Sequence, residues 1–225
     1  MSENQKKYKN FLFDCDGVIL DSNQIKSEGF RIALSNEDTK LVDQFLDYHK
    51  DNQGIDRYNK IKFFLSEIKK VEYCDKDFNF IIKKYSDYCL KELVRAPLVQ
   101  GITEFLEYLK QEKRNCFVVS GSDQVELREI FRVKGLDSYF SGIYGSPETK
   151  IMILNKLFQD DLINDSSIFY GDAKSDMLAA ENHSIEFIYI YGASDWKSGL
   201  KECLKKKYKC YLNFEEVKKN NSFDL

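Results

Sequence analysis

The chain has 225 residues, 43% hydrophobic and 32% charged, which suits one large or two small domains with a buried core and a solvated surface. Lys and Arg number 34 against 37 Asp and Glu, a formal net charge of −3 that argues against nucleic acid as the main partner, since phosphate-backbone binding needs a cationic surplus. No apolar run approaches the ~20 residues that cross a bilayer and no secretory signal opens the sequence, so a cytoplasmic protein with no membrane partner is expected.

In chain order, the first element is a short apolar run, FLF at 11–13, read as a buried strand. Up to Ala96 there is no proline, and apolar residues recur at helical spacing. A helix near 23–34 comes first. The next, over 37–50, aligns Leu41, Val42, Phe45, Leu46 and His49. Another over 56–70 aligns Ile61, Phe64, Leu65 and Ile68, and one over 76–94 aligns Phe78, Ile81, Ile82, Tyr85, Cys89 and Leu93. Beyond Pro97 the pattern changes. Helical stretches near 101–112, 123–135, 148–159 and 174–182 alternate with the runs CFVV (116–119), IYG (143–145), IFYG (168–171) and FIYIYG (187–192). Such alternation implies a parallel sheet covered on both faces. The expected fold is an α/β core over residues 1–21 and 96–225, with an all-helical domain over 22–95 inserted after the first strand. The basic run KECLKKKYK, 201–209, reads as a solvated surface segment, and the tail from Lys218 is expected to be disordered. The six cysteines form no C-x-x-C pair and only two histidines accompany them, which leaves reduced thiols and no zinc site.

Chemistry-bearing residues cluster where the strands end. The first strand runs into Asp14-Cys15-Asp16-Gly17, two carboxylates whose mutual repulsion a cation between them would relieve, although an Asp pair can also simply turn the chain. Mg²⁺ suits such oxygen ligands. The second strand ends in Ser120-Gly121-Ser122, where a hydroxyl and a glycine amide can hold phosphate oxygens, or Ser122 or Asp123 can cap the next helix. Lys150 opens the helix after Gly145-Ser146-Pro147. Asp172 and Asp176 follow the IFYG run at i, i+4, which puts both on one face if a helix starts there; the helix dipole is the competing explanation. In open parallel sheets the C-terminal strand edge is where ligands bind. Carboxylates, a hydroxyl and a lysine converging there make a site for a metal and a phosphoryl group.

The sequence FLFDCDGVILDS, then VVSGSD, GSPETK and YGDAKSD, resembles the four motifs of the haloacid dehalogenase superfamily. That resemblance implies a Rossmann-like doubly wound core with an inserted helical cap, Mg²⁺ as cofactor and a small phosphorylated metabolite as substrate. It implies Asp14 as nucleophile forming an aspartyl-phosphate, with Asp16 as acid toward the leaving oxygen and then base toward water. Ser120, Gly121 and Lys150 would bind the phosphoryl group. Asp14, Asp172 and the backbone carbonyl of Asp16 would hold the metal, with Asp176 completing the site. Family members that remove halide or cleave carbon–phosphorus bonds generally lack an acid at the position of Asp16, so its presence favours phosphate esters. A phosphatase and a phosphosugar mutase of the β-phosphoglucomutase kind both carry the two aspartates. A phospho-accepting receiver-type module is a third reading, but such modules are much shorter and lack a helical insert.

Within the insert, YHKDNQGIDRYNKIKFF (48–64) surrounds Gly54 with His49, Asn52, Arg57 and Lys60. It looks like the N-G-I-S-R-x-x-K loop of bacterial phosphatases of this superfamily from surface-polysaccharide sugar genes, with Asp56 at the usual Ser position. This resemblance makes Arg57, Lys60, His49 and Asn52 candidate substrate-binding residues. The competing reading is a solvated helix face and a packed histidine.

Overall fold

The structure is a computed structural model that describes residues 8–72 and 74–220. Its centre is one six-stranded sheet, every pair parallel, in the order β3-β2-β1-β4-β5-β6. The strands are β1 (Asn10–Phe13), β2 (Asn115–Asp123), β3 (Gly142–Ser146), β4 (Ser167–Gly171), β5 (Glu186–Ile190) and β6 (Lys209–Tyr211). Successive side chains of a strand face opposite sides of the sheet. In β1, Phe11 and Phe13 enter one buried layer and Leu12 the other, where it meets Phe117, Phe169 and Phe187. Both faces are therefore apolar, as a parallel sheet covered by helices requires.

The helices are α1 (Asn23–Ala33), α2 (Thr39–Asp51), α3 (Arg57–Phe63), α4 (Asp75–Leu93), α5 (Ile102–Gln111), α6 (Gln124–Val133), α7 (Lys150–Gln159), α8 (Lys174–Asn182), α9 (Gly199–Lys205) and α10 (Phe214–Lys219). The first four lie between β1 and β2 as an all-helical insert. The chain leaves and re-enters the core side by side: the Asp21 amide donates to the Pro97 carbonyl at 2.9 Å, and the Val99 amide to Ile19 at 3.0 Å. Inside the insert, Phe30 packs on Phe45 and Tyr85, with ring centroids 5.1 and 4.2 Å away. Gly29 lets α1 approach α4, since a Cβ there would stand 2.7 Å from the Cys89 sulfur.

Three local expectations change. The apolar run after α3 continues as a π-helical turn, Phe64–Ile68, before the chain breaks. The basic run at 201–209 is not simply solvated: it holds most of α9, with Cys203 fully buried, and opens β6. Lys218 and Lys219 close α10 rather than begin a disordered tail; the expectation for 221–225 lies outside the described residues. Among the described residues no helix is long and apolar enough to cross a membrane.

Candidate active site

The order β3-β2-β1-β4 places a topological switch between β1 and β4, where the connections run to opposite sides of the sheet. Asp14 sits at that crevice, its amide donating to the Tyr170 carbonyl on β4 at 2.9 Å. The turn that follows is tight: the amides of Ile19 and Leu20 both reach the Cys15 carbonyl at 2.9 Å. Gly17, at φ +80°, is required here twice over, because a Cβ would also fall 2.2 Å from Oδ2 of Asp172. Asp172 lies just past β4 and receives the Asn23 amide from α1 at 2.8 Å. It precedes α8, so a strand end and a first helical turn, not i, i+4 spacing along one helix, bring it to Asp176. Asp176 is fully buried and accepts the Ala173 amide at 3.0 Å.

Lys150, the first residue of α7, reaches both acids. Its Nζ is 3.0 Å from Oδ1 of Asp14, an ion pair without hydrogen-bond alignment, and it donates to Asp176. Ser120 is buried in β2, where the register with β3 shifts, and accepts the Ser122 amide at 3.1 Å. Asp123 caps α6, accepting from the Val125 and Glu126 amides, so the cap does not engage Ser120 or Gly121.

One carboxylate oxygen from each of Asp14, Asp172 and Asp176 lies within 4.8 Å of the others. Burial, with Asp176 and Asp16 close by, pushes the Asp14 carboxyl up to about 7 against the pull of Lys150. Burial and the charges of Asp14 and Asp176 drive Asp172 well above the ordinary carboxylate range. One ammonium does not neutralise three buried carboxylates. The set is all oxygen, and a hard divalent cation such as Mg²⁺ fits its charge and chemistry.

Asp16 faces elsewhere. Its carboxylate accepts from Ser22 at 2.6 Å and from Ser122 at 2.7 Å, and pairs with Lys26 of α1 at 3.2 Å. Burial opposes ionisation, but Lys26 and the two hydroxyls outweigh it and hold the group below its ordinary value.

The helical insert roofs a cavity of about 60 Å³ bounded below by Asp14, Asp16, Ser120 and Lys150. His49, Arg57 and Lys60 line it; Asn52 does not, its side-chain amide being turned back onto the Tyr48 carbonyl at 2.9 Å. Gly54, at φ +87°, makes the tip of the insert and presses on the core: a Cβ on Gly121 would meet the Gly54 carbonyl oxygen at 2.5 Å. Arg57 is not a free cation. Its two terminal nitrogens grip Glu126 of α6 at 2.8 and 2.5 Å, and one also donates to Ser86 at 2.5 Å. Sequence reasoning missed Asn23, Lys26, Ser122 and Glu126 as parts of the site. The one available signal was polar residues on the first turn of α1, directly after the aspartate motif.

The family described as haloacid dehalogenase-like hydrolase matches residues 11–190. The "Phosphorylated carbohydrates phosphatase" of Thermotoga maritima is 22% identical over 198 residues, 83% of this chain and 88% of that protein. The "5'-nucleotidase" of Pseudomonas aeruginosa is 24% identical over 204 residues, 84% of this chain and 86% of that protein. Among solved structures, a predicted phosphoglycolate phosphatase from Haemophilus somnus superposes with a TM-score of 0.76 at 16% identity, covering 97% of this chain and all of that one.

Proposed function

The chain belongs to the haloacid dehalogenase-like hydrolase family, and from that premise we propose that it is a Mg²⁺-dependent phosphatase of a small phosphorylated metabolite, a sugar phosphate being the expected class. The observation that carries this reading is the buried cluster of Asp14, Asp172, Asp176 and Lys150 beneath a roofed cavity. Residues 22–95 serve as its cap domain over a core of 1–21 and 96–225. The name of the Thermotoga relative supports a carbohydrate substrate.

Mg²⁺ would be held by the carboxylates of Asp14 and Asp172 with the backbone carbonyl of Asp16, and Asp176 completes the site by holding Lys150. When bound, it supplies positive charge against the phosphoryl oxygens. Asp14 attacks phosphorus through a carboxylate oxygen, and the P–O bond to the leaving alkoxide breaks. Lys150 keeps positive charge beside Asp14 while a dianion approaches. Ser120 and the Gly121 amide orient the phosphoryl oxygens. Asp16 gives its proton to the leaving oxygen, then takes one from the water that releases phosphate and restores Asp14. Its ionised resting form suits the second half; arrival of the phosphate dianion raises its proton affinity for the first. The closed cap excludes bulk water in between.

The test is phosphate release from a panel of phosphorylated metabolites, with Mg²⁺ and with chelator. Asp14→Asn should abolish turnover, on the order of a 10³-fold loss or more, because nucleophile and metal ligand go together. Near wild-type release by that variant would rule out covalent catalysis at Asp14.

A further inference from the structure

Four cations line the cavity: Lys26, Arg57, Lys60 and Lys150. Three are matched by carboxylates. Lys150 has Asp14 and Asp176, Lys26 has Asp16, and Arg57 has Glu126. Lys60 differs. It is 3% exposed, yet no described carboxylate stands within ion-pair distance of its ammonium. Its near partners are Nδ1 of His49 at 2.8 Å and the His49 carbonyl at 3.5 Å.

A buried, unpaired ammonium is costly, so its retention needs a reason. The histidine beside it sharpens the case. A protonated Lys60 donates to Nδ1, which leaves the ring hydrogen of the neutral imidazole on Nε2. That nitrogen is buried and has no partner among the described residues. Burial and the neighbouring Lys60 and Lys26 keep His49 neutral, well below its ordinary value. The roof of the cavity thus presents a buried Lys60 amine, brought down to about 7 by burial and held protonated once an anion arrives, with an unpartnered N–H beside it and no described carboxylate to pair with either.

We propose that Lys60 and His49 form a subsite for a second anionic group on the substrate, a carboxylate or a second phosphoryl group, a few atoms from the phosphate that Asp14 attacks. The inference rests on reading the Asp14–Ser120 end as the phosphate site. An anion here completes the charge balance of the roof as Mg²⁺ does below, and charge-assisted bonds from Lys60 and His49 are of the strong kind. The small volume favours a compact substrate in which the two anions are close. Arg57, held by Glu126 and Ser86, is then a tie between cap and core rather than the substrate ligand that the loop resemblance implies.

The subsite is tested by calorimetric titration with non-hydrolysable probes in Mg²⁺: phosphonoacetate, 3-phosphonopropionate, methylenediphosphonate and, lacking a second anion, ethylphosphonate. Wild-type protein should bind the best two-anion probe about tenfold or more tighter than ethylphosphonate. In Lys60→Met that preference should shrink to about threefold or less, and His49→Phe, which keeps a ring against Phe30, should reduce it too. If methylenediphosphonate leads, the second group is phosphoryl; if a phosphonocarboxylate leads, it is a carboxylate. Equal wild-type binding of one-anion and two-anion probes, or a preference that survives Lys60→Met, overturns the subsite while leaving the phosphatase reading intact. Failure of every phosphonate to bind removes the phosphate reading and the subsite with it.

Discussion

Replacing Lys60 by methionine should stabilise the ligand-free protein, and the gain should depend on pH. Burial, reinforced by Lys26, pushes the Lys60 ammonium down to about 7 in the folded chain, from an ordinary value of 10.5. Between these values the unfolded chain binds more protons at this position than the folded one. Stability contributed through Lys60 therefore rises with pH across that window. The full penalty applies below about pH 7 and vanishes above about pH 10.5. Its ceiling is roughly 5 kcal/mol at 1.36 kcal/mol per pH unit, and local relaxation and water entry reduce what is realised. Lys60→Met keeps the aliphatic volume and removes the charge, but loses the bond to His49, worth about 1 kcal/mol. The expected net gain is about 1–3 kcal/mol at pH 6.5, within the range for apolar replacement of buried charge. Urea unfolding of both proteins at about pH 6.5 and pH 9 checks it, because groups common to both cancel in the difference. The gap should narrow by about 2–3 kcal/mol between the two pH values. A variant less stable than wild type by the same amount at both would show that Lys60 is well paired, and the charge argument would fail.

Three further outcomes follow from the geometry. Arg57→Ala should lower kcat/KM by similar factors on an aryl phosphate and on larger esters, and cost about 1–3 kcal/mol of stability, since it breaks the tie to Glu126; a loss confined to larger esters would restore Arg57 as a substrate ligand. Gly121→Ala should leave the core folded, by circular dichroism, but cut kcat/KM about tenfold or more, because its Cβ collides with the Gly54 carbonyl oxygen; unimpaired turnover would show that the cap need not seat there. Asp172→Asn should raise the melting temperature in chelator, by relieving repulsion among buried carboxylates, and abolish the further rise on adding Mg²⁺; a variant that still gains stability from Mg²⁺ would place the cation elsewhere.

Much of the core was legible because two local signals coincided. Short apolar runs marked β1 to β5, and each chemistry-bearing residue stood just past one of them or at the start of the next helix: Asp14, Ser120, Lys150, Asp172. A parallel sheet turns such sequence positions into spatial neighbours without further information. The strand β6 escaped because Lys209-Cys210-Tyr211 is short and charged, as sheet edges tend to be, and reads as surface. The π-helical turn at Phe64–Ile68 escaped because a period of 3.6 fitted its apolar residues well enough.

The roof of the cavity is where local reading stops, and the reason is physical. A lysine on an amphipathic helix is assigned to solvent by default. Lys26 and Lys60 are buried only because the insert docks so that one face of α1 and the start of α3 meet the ends of β1 and β2. Nothing within a few residues of either lysine encodes that docking; it is fixed by the return of the chain at Pro97–Val99 and by the Arg57–Glu126 tie, whose partners are 69 positions apart. The clustered acids Asp14, Asp172 and Asp176 need only the sheet to find one another, so their meeting is written locally. The lysines of the cavity roof need the insert and the core together. On the proposed subsite, substrate choice would rest on the same long-range contacts that close the cavity, and Lys60, the cation those contacts leave without a described carboxylate, is where the second anionic group of the substrate should be sought.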